Sequence, residues 1–521
     1  MPRLRRRRVR PRGDDDGGVD RLSSLPDDLL RLILRRLDTR TALSTAVLGR
    51  RWARLPRDLP SLDLRVGDVL PPRYHRALAI RRGCHPGHST ASKAVRKLDA
   101  VIAQCERRAT RAFAHGVTGL LEAAGADEGD DRRRAKTLRL EFFLTGEESG
   151  CAVVDRLIPA AIGAWGVEDL EVVARRPPLL DDGLAAGYTF PHHLLDDELH
   201  RSRLRRLTLA NCTASPPPPH RYAALAELVL RDMPASTPLA TYRALFTARS
   251  PLQVLHLISC RCAGKERRLV ISAPHSQLRE LVVDGCSFLA IDLRALPALE
   301  RLACLTNTVE LRYGAVPRLT HVTLAFSSEK SAWEHDELDR FLDGASAVES
   351  LVVRLTRPSR WIVARPPETR LRGLTRLLVA DVPASWDVTW PRLLLLAAPY
   401  LETLHIHVAR HKSEDEKGRE ISWNLLPSRK FRHRRLKEVV VAGFGRTWRQ
   451  IFFVRYLARV CKRLHRVFLF YNWCVQETGL WDWDLKQQSD CPWSEEDKMV
   501  IRKQIKYGKA WCRPQLQVIV R

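Results

Sequence analysis

From about residue 135 to residue 470 the apolar positions recur in a short, fixed pattern with long variable spacers. Leu204, Leu207 and Leu209 are followed by Cys212; Leu252, Leu255 and Leu257 by Cys260; Leu278, Leu281 and Val283 by Cys286. Leu225, Leu228, Leu230 and Met233 come close, and looser copies continue through Leu319-Val322-Leu324, Val348-Leu351-Val353, Leu374-Leu377-Val379, Leu401-Leu404-Ile406 and Leu436-Val439-Val441. Neighbouring copies lie roughly 20 to 37 residues apart, a period that belongs to stacked repeats. The alternation inside each copy predicts a short strand with alternate residues in the core, then a turn and a return segment. No single copy can bury its own apolar face, so stability has to come from stacking. An ordinary α/β sheet with long crossovers is the alternative. The cysteines recurring at one register position favour the solenoid, where a small side chain packs behind the strand and hydrogen-bonds the turn.

The N-terminal pattern is different. Pro26 suits a first helical turn, with Asp27 and Asp28 complementing the helix dipole. Leu29, Leu30, Ile33, Leu34 and Leu37 line one wide face. Asp38-Thr39 marks a break, Thr41 to Leu48 supplies a second short helix, and Trp52 and Leu55 belong to a third piece. Three short helices in about 40 residues bury too little surface for strong stability alone. This apolar face needs a partner, either the solenoid itself or another chain. Leu98 to Ala124 reads as a helix, and the segments 83–92, 125–134, Pro216–Pro219 and His411–Glu420 read as loops. Near the end Ser494 suits a helix N-cap and Leu516 to Val520 reads as a strand. The chain therefore divides into a disordered basic tail (1–19), a helical unit (20–60), a linker and helical region (61–134), the repeat array (135–435) and a closing segment (436–521).

Composition narrows the function. The chain has 521 residues, 45% of them hydrophobic, yet no run of about 18 uncharged apolar residues that would predict a membrane span. Its first residues lack the apolar core of a secretory signal, so the expected location is the nucleus, the cytoplasm or both. The cluster Arg3, Arg5, Arg6, Arg7, Arg8, Arg10, Arg12 reads as a nuclear import signal or as a disordered arginine-rich tail. Twelve cysteines scattered singly predict reduced, packed thiols. The net charge of +27 raises the possibility of nucleic-acid binding. No zinc-finger spacing and no basic motif interleaved with aromatics supports it, so nucleic acid is not the expected partner.

No phosphate-binding glycine loop, nucleophile elbow or HExxH motif occurs, and His405, His407 and His411 read as surface histidines rather than ligands. No catalytic residue, cofactor or metal is expected. The residues flanking the core positions of each strand should line the concave face with about as many acids as bases. Its middle column is largely apolar, and Val229, His256, Val282, Val352, Leu378 and His405 are the expected substrate contacts.

The N-terminal segment resembles a plant-type F-box: Asp20-Arg21, Leu25-Pro26-Asp27, Ile33-Leu34, a short break, then Leu48, Arg51 and Trp52 fit that pattern without gaps. Gly49 departs from it, since relatives often have serine or another small polar residue there. The repeats resemble leucine-rich repeats. The stretch with Leu436, Val439, Gly443-Phe444, Tyr456-Leu457, Leu464 and Val467 resembles the FBD-type segment closing many plant F-box/leucine-rich-repeat proteins, read here as strand, glycine turn, helix, strand. The resemblance implies an F-box that binds a Skp-type adaptor, and through it a cullin, using Leu25, Pro26, Leu29, Leu30, Ile33, Leu34, Val47, Leu48 and Trp52. It implies the substrate-recognition subunit of a Skp–cullin–F-box E3 ubiquitin ligase, non-catalytic itself, that holds a protein substrate. A repeat scaffold without ubiquitination, or a basic nucleic-acid binder, is the alternative.

Overall fold

The computed structural model describes residues 22, 24–83, 93–125, 133–144, 149–179, 187–195, 202–212, 222–246, 250–305, 308–311, 314–325, 345, 347–354, 370–383, 391–409, 431–477, 481–506 and 515–521. The readings of residues 1–19, Asp20-Arg21, Pro216–Pro219 and His411–Glu420 lie outside them.

The N-terminal unit is built from α1 (Asp27–Leu34), α2 (Thr39–Ser44), a 3-10 turn (Thr45–Leu48) and α3 (Arg50–Arg54). Asp38 caps α2 by accepting from the Thr41 backbone N–H at 2.9 Å, satisfying one of the orphan donors of a helix start. Gly49 follows the 3-10 turn at φ 154°, ψ 172°, a region essentially reserved for glycine. This accounts physically for the residue that departs from the F-box pattern.

The remainder is organised by one 15-stranded parallel sheet. Its strands in sheet order are β1 (Ser61–Arg65), β2 (Thr137–Phe143), β3 (Asp169–Arg175), β4 (Arg206–Ala210), β5 (Glu227–Arg231), β6 (Val254–Ile258), β8 (Glu280–Asp284), β10 (Arg301–Cys304), β12 (His321–Ala325), β13 (Ser350–Arg354), β14 (Arg376–Pro383), β15 (Thr403–Ala409), β16 (Glu438–Ala442), β17 (Arg466–Phe470) and β20 (Gln517–Val520). The short strands β7 (Arg268–Ser272), β9 (Ala290–Ala295) and β11 (Thr308–Leu311) form a second parallel sheet of three. The fold class is thus the α/β solenoid that the repeats predict.

Register explains the core. Leu207, Leu228, Leu255, Leu281 and Leu302 are successive ladder partners, and Leu209, Leu230, Leu257, Val283 and Cys304 form a second such column. All ten are buried. A strand alone would leave this face wet; fifteen in register make it a continuous interior. The recurring thiols Cys260 and Cys286 are buried as anticipated, but their Sγ donates to strand carbonyls of the preceding repeat, Leu230 and Leu257, each at 3.3 Å, rather than to the turn.

Two features were not legible beforehand. The sheet begins at β1, whose Ser61 pairs with Thr137, so residues 61–134 hold the first strand rather than only a linker and helices. They also hold α4 (Pro72–Gly83) and the 33-residue α5 (Lys93–Gly125), somewhat longer than the anticipated Leu98–Ala124. Between α4 and α5 the Tyr74 hydroxyl donates to buried Glu106 at 3.0 Å; burial pushes that carboxyl above its usual range, with the Tyr74 bond opposing. In the closing segment, strand, glycine turn, helix and strand appear as β16, Gly443, a helix at Trp448–Val460, and β17. Ser494 caps the helix Glu495–Lys506, its Oγ accepting from the Asp497 backbone N–H at 3.1 Å. The second surprise is an antiparallel hairpin of β18 (Trp473–Glu477) and β19 (Trp483–Gln487), a sheet of its own.

Candidate interaction surfaces

The N-terminal unit has a buried side and an open side. Leu30, Leu34 and Trp52 are buried in the cluster that continues into the sheet through Leu55, Leu59 and Leu62. Of the residues assigned to adaptor contact, these three are core residues, because their helix faces turn toward the chain's own sheet. Leu25 is half-buried and Pro26 exposed. The apolar positions offered to solvent are Leu29 (47% exposed), Ile33 (38%), Val47 (87%) and Leu48 (64%), joined by Leu32 and Leu37, which the residue-by-residue assignment omitted. Arg51 pairs with Asp27 at 2.6 Å, joining α3 to the start of α1, and Arg31 pairs with Asp58 at 3.0 Å. Polar contacts thus fix the helices while several large apolar side chains stay uncovered.

The concave face is narrower than its sequence suggests. Arg206 lies 2.8 Å from Glu227, His256 2.7 Å from Glu280, Arg301 3.4 Å from Glu280, and Arg466 2.8 Å from Glu438. Each base meets an acid on the neighbouring strand. Burial works against the ionised form of Glu280, yet the His256 hydrogen bond and the Arg301 charge leave its carboxyl below the usual range. On Glu438, His405 and then Arg466 have the same effect. Among the described residues of this face, the cross-strand pairs leave no unbroken arginine stripe of the kind that tracks phosphates.

The six residues expected to contact substrate all lie on this face, but they do not form an open apolar strip. Val229 and Val282 are buried, because side chains of adjacent strands about 4.8 Å away close over a short valine. His256 is half-buried in its pair with Glu280. Val352 and Leu378 are buried with Ala380 beneath the indole of Trp483, itself only 7% exposed. His405, read from the sequence as a surface histidine, accepts a hydrogen bond at Nδ1 from Trp483 Nε1 at 2.8 Å. Arg376 lies over the same indole, 4.6 Å from its centroid, and reaches Asp482 at 3.3 Å. Trp481 Nε1 donates to Glu280 at 3.1 Å, and Trp473 stacks on Phe470 with ring centroids 4.0 Å apart. The chain therefore covers the middle of its own concave face. The string Trp481-Asp482-Trp483-Asp484 was the available signal, but nothing in repeat periodicity says where an intervening hairpin folds.

At the C-terminal ends of β3 to β8 lies a cavity of about 650 Å3, lined in part by Arg175, Arg176, Asn211, Asp232 and Arg261. Asn211, Asp232 and Ser259 turn the chain there at φ values of 50° to 55°, and Asn211 Oδ1 accepts from Arg176 Nε at 3.0 Å. Among the described residues no group of three or more His, Cys, Asp or Glu could hold a metal ion, and no helix is long and apolar enough to cross a membrane.

A helical N-terminal unit with an uncovered apolar face, fused to stacked parallel-strand repeats, defines an F-box/leucine-rich-repeat protein. The chain belongs to the family described as At1g61320/AtMIF1, LRR domain, which matches residues 131–469, well over half of its length. The F-box domain matches residues 22–64. Among curated relatives, all from Arabidopsis thaliana, the FBD-associated F-box protein At4g13985 is 43% identical over 67 residues, which is 13% of this chain and 14% of that protein. F-box/LRR-repeat protein 13 is 45% identical over 64 residues (12% and 14%), and F-box/FBD/LRR-repeat protein At1g13780 is 43% identical over 51 (10% and 11%). These matches span only a small fraction of the relatives' own length. F-box and repeats together mark the chain as one built for protein interaction.

Proposed function

We propose that this chain is the substrate-recognition subunit of a Skp–cullin–F-box E3 ubiquitin ligase. It docks a Skp-type adaptor, and through it a cullin, on the Leu29–Ile33–Val47–Leu48 face, and it holds a protein substrate on the concave side of the solenoid. The reading rests on those side chains: Leu29, Ile33, Val47 and Leu48, with Leu32 and Leu37, stay exposed on a unit whose other side is already packed into the sheet, a pattern that marks a binding surface. The chain itself performs no chemistry in this reading. It contributes proximity, holding the substrate where a recruited ubiquitin-charged enzyme can reach it.

The test is co-purification with a Skp-type adaptor. Val47→Asp combined with Leu48→Asp places two charges in the contact and leaves the buried Leu30, Leu34 and Trp52 intact. Adaptor binding should fall at least about 100-fold, since burying an unpaired charge costs several kcal/mol, while the far-UV circular dichroism stays unchanged. Full adaptor binding by the double variant would remove this assignment. A wild-type chain that binds no Skp-type adaptor would favour a repeat scaffold acting without ubiquitination.

A further inference from the structure

We propose that the β18–β19 hairpin is an intramolecular occupant of the substrate site, and that the protein captured there presents the same chemistry: an extended segment carrying a tryptophan beside a carboxylate. The proposal rests on the reading of the concave face as the capture surface and deepens it by naming what the face recognises.

The hairpin shows which groups the face can satisfy. Val352, Leu378 and Ala380 give an apolar floor for one indole. His405 Nδ1 receives that indole's N–H at 2.8 Å, and its Nε2 lies 3.5 Å from Glu438 Oε1. Arg376 does two things at once, lying over the indole and pairing with the adjacent Asp482. Glu280 accepts from the second indole, Trp481. An aliphatic side chain would leave the His405 nitrogen without its donor, and a basic neighbour would meet Arg376 with like charge. The face therefore discriminates by N–H donor, flat aromatic surface and negative charge together.

The hairpin is also suited to leave. Among the described residues its two strands pair with each other and not with the main sheet. An isolated two-stranded hairpin is marginal in water, so the contacts just named hold it in place. A segment offering the same contacts competes for them, against a hairpin whose tether gives it the higher effective concentration.

The experiment uses the full chain and a fluorescently labelled peptide, Trp-Asp-Trp-Asp-Leu-Lys-Gln, the chemistry of residues 481–487. Trp483→Ala, which vacates the indole site, should bind the peptide about tenfold tighter than the unaltered chain. Arg376→Ala with His405→Ala in that background should abolish the gain. In the unaltered chain, saturating peptide should speed amide exchange in residues 473–477 and 483–487 about fivefold by releasing the hairpin. This second readout does not depend on any variant folding. No binding to the vacated chain, a gain indifferent to Arg376 and His405, or exchange unmoved by peptide would each overturn the proposal. Adaptor co-purification is measured in parallel. Loss of competition with adaptor binding intact defeats this inference alone; competition without adaptor binding defeats the ligase reading and leaves the surface standing.

Discussion

Truncating Leu255 to alanine probes the central claim of the fold, that alternate residues of each strand face opposite worlds. Leu255 is fully buried and sits in register between Leu228 and Leu281, both also fully buried. Alanine removes three carbons, about 2.4 kcal/mol at about 0.8 kcal/mol per methylene. The space left behind raises the cost toward about 3–5 kcal/mol, because ladder neighbours fixed by backbone hydrogen bonds relax little. His256, the next residue, is the control. Its loss removes a 2.7 Å contact with Glu280, but Glu280 keeps Arg301 at 3.4 Å and Trp481 Nε1 at 3.1 Å. That change should cost no more than about 1 kcal/mol. Long repeat arrays do not unfold as one unit. The measurement is therefore native-state exchange at the amides of β5, β6 and β8. Leu255→Ala should accelerate exchange there by about 100-fold or more and His256→Ala by less than about tenfold. Equal acceleration would mean that the two faces of the strand are not distinct, and the register would be refuted.

Other expectations follow from single groups. Gly443 turns the chain at φ 75°, and an added Cβ would run into the Val408 carbonyl oxygen; Gly443→Ala should therefore destabilise the closing segment by at least about 2 kcal/mol, read from its urea midpoint, and an unchanged midpoint would remove the requirement. His433 is buried, accepts at Nδ1 from the Leu436 backbone N–H at 3.1 Å and donates from Nε2 to the Ala398 carbonyl at 2.9 Å. Burial holds its pKa below the ordinary value, partly offset by the Ala398 bond, so the unfolded chain takes up the proton first. Its contribution should be full above about pH 6.5 and be lost as the pH falls below that; thermal unfolding of His433→Asn should lack this part of the acid sensitivity. Asp381, lowered by His407 and Arg354 against the opposing effect of burial, should give a separate loss below about pH 4, one that Asp381→Asn removes.

Much of the solenoid could be read from the chain because one period generates it. Leu207, Leu255 and Leu281 recur at positions where a two-residue alternation and a stacked neighbour are both satisfied, and the cysteines mark the turn that follows. What stayed hidden lacks such redundancy. β1 is five residues long and reaches its partner only across α4 and α5, so no repeat announces it. The adaptor assignment copied a motif residue by residue, but a motif does not say which leucines of an amphipathic helix are claimed by the chain's own sheet. Leu30 and Leu34 are claimed; Leu29 and Ile33 are not. The concave residues share one face of the sheet, as the alternation predicts, yet whether a face is open depends on what else folds back on it. Trp483 lies 131 positions from Val352 in sequence and meets it only in three dimensions.

The N-terminal unit and the sheet share one interior. Thr39 Oγ1 accepts from the Asp63 backbone N–H at 2.8 Å, Arg40 reaches the Asp68 carbonyl at 2.8 Å, and Arg133 reaches the Pro56 carbonyl at 3.1 Å. Among the described residues these bonds tie the helices directly to β1 and its neighbours, so the sheet can serve as a ruler measured from them. In the proposed ligase, each strand would place the capture surface about 4.8 Å further from the adaptor face along the sheet. On that reading, inserting or deleting one repeat would move a captured protein by a step of that size and change which of its lysines comes within reach, while the two contact surfaces themselves stay unaltered.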